Sequence, residues 1–119
     1  MEQQDGAPMD PYYLDRGTYE SISEMVGKDA FAGFVDQFFS EFDEIIQPLK
    51  DLVAQQKGEE AAQTAHKVAG TAAVLGAAGV RNLLIEFEKT ARSGEFAKCV
   101  EMIGEIEEVR QKLPEIMNP

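Results

Sequence analysis

The chain has 119 residues, 44% of them hydrophobic, and its 22 acidic against 11 basic side chains give a net charge of −11. Such a length fits one domain around a single core, and the apolar content is too high for a disordered chain. The acidic balance disfavours nucleic acids and anionic membranes, which bind through Lys and Arg, and leaves other proteins as the expected partners.

Residues 1–10 are polar, contain Gly6 and Pro8, and read as a mobile tail. They lack the basic-then-apolar order of a signal peptide, and no apolar run in the chain approaches the ~18 residues of a membrane span. The remainder, 11–119, reads as one helical domain. Between Pro11 and Gly27, Tyr19, Ile22, Met25 and Val26 have helical spacing, predicting one or two short helices that cover one end of a larger bundle. Asp29 is the expected N-cap of a long second element. Its apolar residues Phe31, Phe34, Val35, Phe38, Phe42, Ile45, Leu49 and Leu52 recur at i+3 and i+4, with Phe39, Ile46 and Val53 as a second stripe. Pro48 should kink this helix and Gly58 should end it.

A third helix is predicted from about Glu59 to Leu75, with a turn over Gly76 to Gly79. Val80, Leu83, Leu84, Phe87 and Ala91 form the next amphipathic helix, stopped by Gly94. Phe96, Val100, Ile103, Ile106 and Leu113 form the last, and Pro114 discourages its continuation. Cys99 falls at a core spacing in that helix; a lone thiol fits a small buried residue and a reducing, cytoplasmic compartment. No period-two run predicts a strand. Four long helices with short turns imply an all-α, antiparallel up-down-up-down four-helix bundle preceded by one or two short helices.

The third helix carries the only histidine of the sequence. At about 100° per residue, His66 shares its face with Ala62, Gln63, Gly70 and Ala73. Ala61, Ala65, Val68, Ala72 and Leu75 form the opposite, buried stripe. His66 is therefore expected to point outward among small residues, within reach of another macromolecule.

His66-Lys67-Val68-Ala69-Gly70 followed by Val74-Leu75-Gly76-Ala77 resembles the histidine-containing phosphotransfer (HPt) domain pattern. The resemblance continues through Leu83, Leu84, Phe87, Glu88, Ala91 and Arg92 to Glu95. Upstream it takes in Leu14-Asp15, Gly27-Lys28-Asp29 and Phe34 to Phe42. It implies that His66 accepts a phosphoryl group from a receiver aspartate or a sensor (hybrid) histidine kinase and passes it to a response-regulator receiver domain. The receiver would supply its own metal ion and lysine. The domain itself would need no cofactor and no metal, and would act as a monomer with no kinase activity of its own. Many members carry a lysine three residues after the histidine; Ala69 stands there instead.

Spacing adds a partner for the ring. His66 lies 11 residues before Ala77, the middle of the predicted turn, and Glu88 lies 11 after it. Equal rise along two antiparallel helices puts them at one height, with Glu88 beside the seam and both groups expected at the surface. A carboxylate accepting from Nδ1–H would fix the tautomer and leave the Nε2 lone pair outward. A glutamate in similar placement occurs in phosphotransfer domains of chemotaxis kinases. Gly70 would give clearance for an incoming active site. Lys67 would attract phosphoryl oxygens, with Lys50, Lys89 and Arg92 as further candidates for that charge. Two other readings stand beside this one: the phosphoacceptor domain of a larger kinase, and an adaptor bundle that docks receivers or other helices without chemistry. A metal site is not expected from one His and one distant Cys.

Overall fold

The structure is a computed structural model that describes residues 9–117. The expected tail therefore lies outside the described residues except at its end, where the Asp10 carbonyl accepts from Tyr13 N at 3.0 Å. Five α-helices follow: α1 (Arg16–Val26), α2 (Lys28–Ala54), α3 (Gly58–Val74), α4 (Ala78–Arg92) and α5 (Phe96–Met117). Helices α2 to α5 pack each on the next, and α5 returns to α2, closing an antiparallel ring of four around one core. No strand occurs among the described residues.

The N-terminal segment yields a single helix, capped by Asp15, whose carboxylate accepts from Thr18 N at 3.3 Å and Thr18 Oγ1 at 3.0 Å. It closes the end of the bundle where α3 meets α4. Asp15 N donates to the Gly76 carbonyl at 2.7 Å and Gly79 N to the Tyr13 carbonyl at 3.0 Å. Gly76 has φ +80°, and a Cβ there would lie 2.8 Å from the Asp15 carbonyl oxygen, so the turn needs glycine both for its conformation and for its contact.

Several expected boundaries move. Gly27, not Asp29, precedes α2, and Asp29 occupies the first turn, where an acid favours the helix dipole. Pro48 lies within α2, where buried Ile45, Leu49 and Val53 pin both sides of it to the core. The helix stops at Ala54, with Gln56 taking the positive φ of 58°. Gly58 begins α3 instead of ending α2, for a steric reason. A Cβ there would sit 2.2 Å from the Ala91 carbonyl oxygen at the end of α4. Likewise α5 runs past Pro114 to Met117. Leu113 and Met117 are buried, and the Tyr19 hydroxyl of α1 donates to the Met117 carbonyl. Tertiary anchoring holds the last turn that local propensity would release.

The two apolar stripes of α2 divide unequally. Phe31, Val35, Phe38, Phe39, Phe42, Ile45, Leu49 and Val53 are buried, whereas Phe34 remains 45% exposed. Along the α2–α5 seam, Arg110 lies over the Phe39 ring at 4.5 Å and pairs with Asp43 through Nε and Nη2 at 2.8 and 3.0 Å. Cys99 is buried in α5; that burial, aided by the Glu95 charge, pushes its thiol above the ordinary range.

Candidate functional site

α3 is built almost wholly from small residues on its inner side. Ala61, Ala62, Ala65, Val68, Ala69 and Ala72 are buried, which lets α4 lie close against it. The buried arc is wider than the single expected stripe. Ala62 belongs to it and is not one of the exposed neighbours of His66; only Gln63, Gly70 and Ala73 are exposed. His66 thus stands at the edge of the exposed arc, beside the seam, because α3 is covered by α2 on one flank and α4 on the other.

From that edge the imidazole reaches across to α4. Nδ1 lies 3.2 Å from Glu88 Oε1 and 3.3 Å from Oε2. The two side chains are unlike in exposure: His66 is 70% exposed and Glu88 only 7%. The expectation that both lie at the surface fails for Glu88, which is the one buried acid among the described residues. An ionised carboxylate can only accept, so a hydrogen bond at this distance would need the ring proton on Nδ1 and would leave the Nε2 lone pair free. Nε2 hydrogen-bonds to none of the described residues.

Glu88 has a second partner. Arg92, one turn further along α4, sets Nη1 3.5 Å from the same Oε1. The rest of its guanidinium grips Glu59 in the first turn of α3, Nε to Oε1 at 3.0 Å and Nη2 to Oε2 at 3.2 Å. That grip, mainly by hydrogen bonding, holds the Glu59 carboxyl below and the Arg92 guanidinium above their ordinary ranges. Gly58 makes it possible, since its missing side chain lets the start of α3 touch the end of α4.

The other charges suggested by the sequence lie elsewhere. Lys50 pairs with Glu107 of α5 at 3.0 Å, and Lys89 with Glu86 at 3.4 Å. Lys67 is exposed on the α2 flank of His66, away from Glu88. There it lines a groove of roughly 430 Å³ with Phe34, Gln37, Glu41, Gly70 and Val74. Glu41 is fixed at this rim by Thr71 Oγ1 at 3.0 Å and Gln37 Nε2 at 3.1 Å. A Cβ added at Gly70 would meet nothing within 4 Å, so packing inside the bundle does not demand glycine there. Ala69, by contrast, is buried.

The sequence marked Arg92 only as a further candidate charge for phosphoryl oxygens and Glu59 only as the approximate start of the third helix; nothing local marks them as partners, and the one available signal was Gly58, where a side chain would strike the end of α4.

A family model described as Hpt domain matches residues 33–116, a span that contains all of α3 and α4 and most of α2 and α5. No curated protein and no solved structure matches the chain.

Proposed function

The chain belongs to the Hpt domain family, whose members carry phosphoryl groups on histidine within phosphorelays, and from this premise we propose that His66 is its phosphoacceptor and that it shuttles the group between receiver aspartates, as a monomer. The observation that carries this is the division of labour on the imidazole: Nδ1 rests on a buried carboxylate at 3.2 Å while the ring is 70% exposed.

The chemistry needs little from the protein. The Nε2 lone pair attacks the phosphorus of an aspartyl phosphate; the N–P bond forms as the aspartate O–P bond breaks, and the carboxylate leaves with the electron pair. The ring proton stays on Nδ1, where Glu88 offsets the positive charge that develops on the imidazole. Onward transfer reverses the bond changes, with a second receiver carboxylate attacking phosphorus and the pair returning to Nε2. Gly70 leaves room for the approaching active site, and Lys67 offers a cation beside it.

The groove next to His66 supports the choice of partner. Phe34 and Val74, 45% and 60% exposed, give it apolar walls within a strongly charged surface. Such a patch fits a protein face that docks and leaves repeatedly. The partners proposed are response-regulator receivers and a sensor histidine kinase.

Incubation with a phosphorylated receiver tests the proposal. The wild-type chain should acquire acid-labile, alkali-stable phosphate, and His66→Gln should acquire none. The ring is exposed but is a partner of the buried Glu88, so the variant should fold with a stability loss of about 2 kcal/mol at most, checked by urea unfolding. Phosphate on the variant at the wild-type level would refute the assignment.

A further inference from the structure

The phosphoacceptor reading accounts for His66 and Glu88 but leaves the guanidinium behind them without a role. We propose that Arg92 is a positioning residue of the site: anchored on Glu59, it holds the Glu88 carboxylate against Nδ1 and thereby sets which ring nitrogen of His66 carries the proton. The inference rests on the reading of His66 as the nucleophile, and concerns how its competent tautomer is maintained.

Glu88 has lost nearly all its contact with water, and a buried carboxylate needs charged or hydrogen-bonding partners. Besides the imidazole, Arg92 is its only side-chain partner among the described residues. A neutral ring offers one N–H, so the guanidinium supplies the compensating charge.

At 3.5 Å the Arg92–Glu88 contact is long, and alone it would fix little. Yet Arg92 is not free to move, because Nε and Nη2 form a two-point fork on Glu59. All three guanidinium nitrogens are thereby committed, and the third necessarily faces Oε1. A lysine, with a single charge at the end of a flexible stem, could satisfy one acid but not orient itself between two.

Glu59 and His66 both belong to α3, and Glu88 and Arg92 both belong to α4. The contacts run from α3 to α4 at Glu59–Arg92 and back at Glu88–His66. Any sliding of one helix past the other would break both crossings together. The site is thus held by a closed circuit of side chains, not by one contact.

Without Arg92, Glu88 would keep its burial and lose its compensating charge. It would relieve this by turning toward water, which removes the acceptor from Nδ1. The imidazole would then be free to place its proton on Nε2, where it blocks the nucleophilic lone pair.

A single histidine makes the tautomer directly measurable by long-range ¹H–¹⁵N NMR, at a pH where the ring is neutral. Wild type should show predominantly Nδ1–H. Arg92→Gln should show a substantial Nε2–H population, with Glu59→Gln and Arg92→Lys in between. Phosphorylation by phosphoramidate should slow by the loss of the competent fraction, about two- to tenfold for Arg92→Gln. A merely structural surface ion pair would lower thermal stability slightly and leave the tautomer unmoved. Equal tautomer populations in wild type and Arg92→Gln would overturn the proposal. Should Arg92→Gln fail to fold, unchanged tautomers in Glu59→Gln and Arg92→Lys would overturn it equally. Wild type that takes up no phosphate from either phosphoramidate or receivers would defeat the phosphoacceptor reading instead, while the tautomer comparison would still decide the role of Arg92.

Discussion

Gly70 and Gly58 show how two glycines in one helix answer to different demands. At Gly70 a side chain would project into open space, so the bundle gains nothing from glycine and the helix loses about 1 kcal/mol relative to alanine. On the proposed function the space is clearance for the partner that approaches His66, one turn away. Gly70→Gln should therefore raise the melting temperature or leave it unchanged, and yet cut phosphoryl transfer from a receiver by more than tenfold. Phosphoramidate, a far smaller donor, should be affected much less. Equal transfer rates from a receiver in both proteins would remove the clearance argument. His66 illustrates a related point: one step around the helix would bury it, and another would carry it out of reach of Glu88.

At the scale of elements, α3 and α4 form the working unit. Small residues on α3 let α4 lie close, and Gly58 brings the helix ends into contact at the Glu59–Arg92 fork. Gly58→Ala introduces a methyl group against the Ala91 carbonyl, backbone that cannot swing aside. It should destabilise the bundle by about 1–3 kcal/mol, measured by urea unfolding. It should also shift His66 toward the Nε2–H tautomer, because the strain falls on the ends that anchor Arg92. A variant as stable as wild type would show that α3 can lift off α4 without penalty. The persistence of α2 through Pro48 and of α5 through Pro114 belongs to this scale too. A few buried side chains beyond each proline outweigh a lost hydrogen bond.

For the whole molecule the governing quantity is the net charge of −11, tolerable because every described acid except Glu88 keeps contact with water. Glu59 is an exception in consequence though not in exposure, since Arg92 holds its carboxyl below the usual range. The sign follows from linkage: a depressed folded value contributes stability above the unfolded carboxylate range, near 4.3, and loses it as pH falls through the folded value. The melting temperatures of wild type and Glu59→Gln should therefore differ at pH 7 and converge toward pH 3. High salt should shrink the difference as well, because the pair is exposed. A gap that is constant from pH 7 to pH 3 would show that Glu59 acts by packing, not by charge. Acidification also relieves the repulsion among the remaining acids, so only the difference between the two proteins isolates this pair.

The sequence by itself determined the helices, most of their inward faces and the pairing of His66 with Glu88. Those follow from repeat distances within a helix and from equal rise on two sides of a short turn, both local rules that hold wherever a helix forms. It placed Gly70 and Lys67 beside His66 for the same reason, and the resemblance to HPt domains that these residues carry agrees with the family match over residues 33–116. The burial of Glu88, the width of the buried arc that takes in Ala62, the exposure of Phe34 and the fork between Arg92 and Glu59 were decided only by tertiary structure. Each depends on which distant helix covers a given flank, and on how closely. A periodic pattern fixes the direction in which a side chain points; only the packed neighbour fixes whether it meets water, core or charge.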